Sequence, residues 1–171
     1  MHVISSFDDH SPVPWANGAG ETTELVSLAV SAALTPALPR WRLSVARLER
    51  SAAFSPLPGL DRTFLPVGAE VVLDIDGQLH RVTPAEPARF GGEQSVSLVE
   101  LESPCFALNL MVERNDPAEE DGRGLELSTH FSGAGLFAIT LESSAEYRQF
   151  QVLELGDQAP PSSLPEVAVL H

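Results

Sequence analysis

Between residues 38 and 155, apolar side chains recur mostly at every second position in short runs, and the breaks between runs carry Gly, Pro, Asp and Asn. A strand turns successive side chains to opposite faces, so this spacing gives each run one face for a core and one for solvent, where a helix would need spacings of three and four. The clearest case is Val71, Leu73 and Ile75 leading into Asp76-Gly77 and returning through Leu79 and Val82. Asp-Gly suits the two positive φ angles of a tight hairpin turn. Trp41, Leu43 and Val45 alternate with Arg42, Ser44 and Ala46, and further strands are expected over 96–102, 106–113, 125–131, 136–141 and 147–155. Short strands at such spacing define an all-β chain, built as a sandwich or a barrel. The stretch 29–38, with Ala32-Ala33-Leu34 before Pro36, is expected to form a single helical turn or a connecting loop at the periphery.

The 171 residues suit one domain over 1–171, since a chain of this size buries roughly 70% of its unfolded surface. An acidic, Gly-containing link at 115–124 divides it into halves of roughly 1–114 and 125–158. The charge run Asp116, Glu119, Glu120 and Asp121 reads as a solvated loop without function. A Pro/Ser-rich stretch begins a loose tail over 159–171.

The formal net charge is -14, and all ten basic residues are Arg. Such a balance disfavours binding to nucleic acid or to an anionic membrane, and the lack of Lys removes Schiff-base and lysine-base chemistry. An anionic ligand must therefore meet an Arg. Cys105 is the single cysteine, so no internal disulfide forms, and its place after Pro104 in an apolar run fits a small buried hydrophobe. The N-terminus lacks the basic and apolar regions of a secretory signal, and no apolar run approaches the ~20 residues of a membrane-spanning helix, so the expected location is the cytoplasm. His2, His10, His80, His130 and His171 are scattered without the spacing that puts two imidazoles on one face. No metal or other cofactor is expected, and no Gly-x-Ser-x-Gly nucleophile turn is present.

Three polar clusters interrupt this framework. The first is Trp15-Ala16-Asn17-Gly18-Ala19-Gly20-Glu21-Thr22-Thr23-Glu24, where the prolines at 12 and 14 favour an extended approach and the two glycines allow a close turn. The second is Arg42 and Ser44 on the polar face of their strand, with Asn109 able to stand beside Arg42 if both polar faces line one interior. The third is Phe54-Ser55 followed by Asp61-Arg62, in which Arg62 either pairs with Asp61 in an exposed turn or offers its planar donor fork to a ligand carboxylate. Each cluster alone is equally well a turn or a solvated face.

Taken in order, Pro14-Trp15, Asn17-Gly18-x-Gly20-x-Thr22-x-Glu24, Trp41-Arg42-x-Ser44-x-Ala46, Phe54-Ser55, Pro58-Gly59-x-Asp61-Arg62, Gly68 and Asn109-x-Met111 resemble the HutD/Ves family over about residues 12–114. The chain departs from the family pattern at Ala19, between the two glycines, and at Gly91-Gly92-Glu93. The resemblance implies a cupin-like (RmlC-like jelly-roll) β-barrel or sandwich with two β halves, lacking the histidine ligands of metal-binding cupins. It also implies a link to histidine utilisation and a small anionic metabolite, such as urocanate, as ligand. In that reading Arg42 or Arg62 takes the carboxylate, Asn17 or Asn109 the imidazole, and Trp15 or Phe54 stacks on the ring.

The expectation is thus a non-enzymatic binding protein with a site at Trp15, Asn17, Gly18, Gly20, Thr22, Glu24, Arg42, Ser44, Phe54, Ser55, Asp61, Arg62 and Asn109. One alternative is an isomerase or hydrolase acting on a small carboxylate, with Glu24 or Asp61 as general base. Another is an interaction module whose polar clusters are turns and ion pairs. Strand edges permit either a monomer or a homodimer.

Overall fold

The computed structural model describes residues 1–114 and 124–171, so the acidic run at 116–121 lies outside the described residues. In chain order the strands are β1 (His2–Ser6), β2 (Val13–Pro14), β3 (Gly20–Val26), β4 (Trp41–Leu48), β5 (Ala52–Ala53), β6 (Leu60–Val67), β7 (Val71–Ile75), β8 (Gln78–Val82), β9 (Ala88–Gly91) and β10 (Val96–Leu101), followed by β11 (Cys105–Glu113), β12 (Leu127–Ser128), β13 (Gly135–Thr140), β14 (Gln151–Gln158) and β15 (Val167–Leu170). One helix, α1, spans Leu28–Leu34. The all-β expectation holds.

The chain divides into two compact units, one of residues 12–124 and one that joins 1–11 to 125–171. This corrects the expected halves, because β1 pairs antiparallel with β14 rather than with its sequence neighbours. In the larger unit a six-stranded sheet runs β2-β3-β4-β11-β6-β9 and a four-stranded sheet runs β5-β10-β7-β8. Ala46, Leu48 and Phe64 of the first sheet pack in one cluster with Val71, Leu73, Val82, Val96 and Leu98 of the second. The two inner faces are therefore stacked as a sandwich; the described strands do not close a barrel.

The β7–β8 hairpin turns at Asp76-Gly77 with φ of 51° and 86°, as the dipeptide demands. The Asp76 carboxylate also accepts from Ser95 N at 2.9 Å and Gln94 Nε2 at 2.8 Å, which ties the turn to the start of β10 and holds its pKa below the ordinary value.

The helix lies at the periphery as expected, with Ser31 its one buried residue, and it also serves as an anchor. Ser27 caps α1 by accepting from Val30 N at 3.1 Å, and Thr35 ends it before Pro36. The fully buried Ser31 hydroxyl accepts from Trp41 N at 2.9 Å and donates to Leu28 O at 2.9 Å. Trp41 Nε1 in turn donates to Thr35 Oγ1 at 2.8 Å, fixing the first residue of β4.

The smaller unit is a five-stranded sheet in the order β1-β14-β13-β15-β12. Three expectations fail here. The strand expected at 125–131 shrinks to Leu127–Ser128. The one expected at 147–155 starts only at Gln151, because Ser144 Oγ accepts from Tyr147 N at 3.2 Å and Ser143 Oγ from Gln149 N at 3.0 Å, closing a local turn. The loose tail expected over 159–171 contains β15, whose Ala168, Val169 and Leu170 are buried between β13 and β12. No helix among the described residues is long and apolar enough to cross a membrane.

Candidate functional site

A cavity of about 390 Å³ opens on one face of the six-stranded sheet. Strand alternation builds its wall: Thr22 on β3, Arg42, Ser44, Ala46 and Leu48 on β4, Asn109 and Met111 on β11, and Arg62 and Phe64 on β6 all line it. Register then sets them in rows. Glu24 pairs with Ser44, Ser44 with Asn109, and Asn109 with Phe64; one row along, Arg42 and Arg62 flank Met111 from either side.

The rest of the wall comes from two loops. Between β2 and β3, Trp15 N donates to Gly20 O at 2.9 Å and Asn17 Oδ1 accepts from Ala19 N at 2.9 Å, while Gly18 takes a φ of 68°. Trp15 Nε1 donates to Thr22 Oγ1 at 2.8 Å, which orients the indole along the cavity. A Cβ on Gly20 would lie 2.3 Å from Arg47 O and 3.3 Å from the Trp15 ring, so glycine is what lets β3 come this close to the β4 backbone beside the indole. The second loop brings Ala53, Phe54, Ser55 and Leu57 to the wall. Its path is set by backbone bonds from Leu57 N to Gly92 O and from Gly92 N to Leu60 O, each 2.7 Å, and a Cβ on Gly92 would stand 1.9 Å from Leu57 O.

Arg62 dominates the electrostatics. Its side chain is buried, with 8% of the residue exposed, and its guanidinium lies 5.5 Å from the Phe54 ring centroid and 5.2 Å from that of Phe90. It has no carboxylate partner among the described residues: Nη1 donates to Ser55 O at 3.3 Å, and the buried Nε meets no acceptor. Burial, and secondarily the Arg42 charge, lowers its pKa to about 10, so it stays a cation at neutral pH. Arg42 differs, for its Nε donates to the Glu24 carboxylate. Ser44 and Asn109 are buried beside it, and neither side chain forms a hydrogen bond with another described residue.

Of the expected site residues, the wall brings together Trp15, Asn17, Thr22, Arg42, Ser44, Phe54, Ser55, Arg62 and Asn109. Gly18 and Gly20 shape the loop without lining the cavity. Glu24 is paired in register with Ser44 and is the ion-pair partner of Arg42, but is not one of the lining residues. Asp61 is a correction, since neighbouring strand residues face opposite ways and its carboxylate lies 3.6 Å from Arg114 Nε instead of holding Arg62. Neither proposed general base therefore reaches the wall. Sequence reasoning missed Ala16, Ala53 and Leu57, and also Ala46, Leu48, Phe64 and Met111, although each of these last four lies two residues along a strand from an expected one or continues its alternation.

The donor set decides what the cavity can hold. No described His, Cys, Asp or Glu lines the cavity and its two guanidiniums repel a divalent cation, so a histidine-ligated metal does not fit here. Among the described residues, no three His, Cys, Asp or Glu gather where they could bind one. The same groups suit a small anion with an aromatic or planar body.

The fold, a β-sandwich with a cavity on one sheet face, is cupin-like. The solved structure of ectoine synthase from P. lautus is similar over 72% of this chain and 87% of that one, with a TM-score of 0.53 at 10% identity. Within that class, residues 7–149 match the HutD family, and the chain belongs to it. The structure of HutD from Pseudomonas fluorescens SBW25 in its formate condition is similar over 96% of this chain and 91% of that one, with a TM-score of 0.60 and 24% identity. Protein Ves from Citrobacter koseri is 32% identical over 107 residues, covering 59% of this chain and 52% of that protein. The chain thus spans about half the length of the curated relative it matches.

Proposed function

We propose that the cavity binds a small carboxylate, with urocanate the first candidate, and that the protein acts as a metabolite-responsive component of histidine utilisation rather than as an enzyme. The observation that carries this reading is Arg62: a buried guanidinium facing a cavity without a protein carboxylate to neutralise it among the described residues. Burying an unpaired charge is costly, and an anionic ligand removes that cost. In this arrangement Arg62 takes the carboxylate, Asn109 or Asn17 bonds the imidazole, and Trp15 and Phe54 supply aromatic walls. A cavity of about 390 Å³ lies near the lower end of the range for small-molecule sites, roughly 300–1,000 Å³. The enzymatic alternative is disfavoured because Glu24 is engaged by Arg42 and Asp61 lies beside Arg114.

Titration calorimetry and thermal shift with urocanate, histidine and N-formylglutamate test the proposal. Urocanate is expected to bind, to raise the melting temperature, and to be recovered unchanged after prolonged incubation. Arg62→Gln should weaken its binding about 10- to 100-fold, the usual loss for a hydrogen bond to a charged group. Absence of heat and of any thermal shift with all three compounds would sink the ligand assignment, and turnover of any of them would favour an enzyme.

A further inference from the structure

The cavity wall carries two cations, but they are not equivalent. Arg42 and Arg62 sit on the same face of the sheet, each paired in register with Met111 and separated by the intervening strand β11. Two strand spacings put their backbones on the order of 10 Å apart, about the span of a small planar dicarboxylate. If both were free, the wall would be a clamp for a dianion. Arg42 is not free: its Nε is held by Glu24, one row along on the adjoining strand, and its Nη1 lies 3.9 Å from Met111 Sδ. Glu24 itself lies outside the wall, with 44% of its side chain exposed, so it neutralises Arg42 without occupying ligand space.

We infer that Glu24 sets the charge class of the ligand: by engaging Arg42 it leaves Arg62 as the free cation among the described wall residues, and the cavity selects a monocarboxylate over a dicarboxylate of the same shape. The inference rests on the reading that this cavity takes a carboxylate, and it adds a specificity-determining residue that does not touch the ligand. A second carboxylate brought near Arg42 would meet the Glu24 charge across the guanidinium, and like charges at that range disfavour binding. A neutral group at the same end, such as an imidazole or an ester, meets no such penalty.

The test uses trans,trans-muconate and its monomethyl ester, planar compounds on one skeleton that differ by one charge, with urocanate alongside, by calorimetry on the full chain. The wild type should bind the monoester at least about tenfold more tightly than the dianion. In Glu24→Gln the dianion should gain about tenfold while the monoester stays within about twofold, and Glu24→Asp should retain the wild-type preference. Adding Arg42→Gln to Glu24→Gln should restore the preference for the monoester, which also guards against a single variant that fails to fold. A wild type that binds both muconates equally, or a preference unchanged in Glu24→Gln, overturns the inference while leaving carboxylate binding intact. If the wild type binds neither the monoester nor urocanate, the carboxylate reading itself falls and the inference falls with it.

Discussion

Arg62 is the residue on which the behaviour of the cavity turns, and its chemistry separates binding from stability. Replacing it with Met keeps an unbranched side chain between Phe54 and Phe90 but removes a buried charge whose Nε has no acceptor. The lost cation–π contacts and the relieved desolvation oppose one another, so Arg62→Met should change unfolding free energy by no more than ~1 kcal/mol while abolishing urocanate binding. Chemical denaturation and calorimetry on the same preparation check both halves. Its titration gives an independent signature. The folded pKa is lowered by burial to about 10, below the ordinary arginine value, so the cation persists through neutral pH and the ligand's counter-charge remains available. Affinity for a carboxylate should stay level from about pH 6 to 9 and fall above 10 as Arg62 loses its proton. The contribution to stability has the opposite sign: above about pH 10, and below the ordinary arginine value, the unfolded chain holds the proton that the folded one has released, so this group favours the folded state increasingly as pH rises.

Among the elements, the tie between α1 and β4 places four side chains of the cavity wall, because β4 carries Arg42, Ser44, Ala46 and Leu48. Ser31→Ala leaves the backbone N–H of the fully buried Trp41 without its acceptor, and should cost about 1–3 kcal/mol in denaturant unfolding. That link was not legible in the sequence, where an Ala-rich stretch before a proline suggested a detached turn. The β7–β8 hairpin was legible, since Asp76-Gly77 and its flanking alternation are local signals. Strand β6 was not, because Thr63, Phe64, Leu65, Pro66 and Val67 are all buried, and a strand covered on both faces shows no period of two. The site divides in the same way. Alternation put Arg42, Ser44 and Asn109 on one face correctly, whereas Asp61 was grouped with Arg62 by adjacency, which in a strand means opposite faces. Glu24 is expected in the site, and as a candidate general base only in the enzymatic alternative, whereas its register beside Ser44 makes it the partner of Arg42.

At the scale of the molecule, β15 shows how much a short segment can carry. It sits between β13 and β12, with Ala168, Val169 and Leu170 buried, and no local cue marks it because its partners are not adjacent to it along the chain. Deleting residues 167–170 should strip β12 of its only described strand partner and uncover β13, raising deuterium uptake across both; unchanged exchange there would contradict the assignment. The pairing of β1 with β14 has a consequence in time. Synthesis at roughly 5–20 residues per second leaves β1 without its partner for on the order of ten seconds. Every residue of the cavity wall is made within that interval, before β12 to β15 exist. A growing chain therefore carries the complete set of ligand-facing side chains while its first strand still waits for the sheet that will receive it.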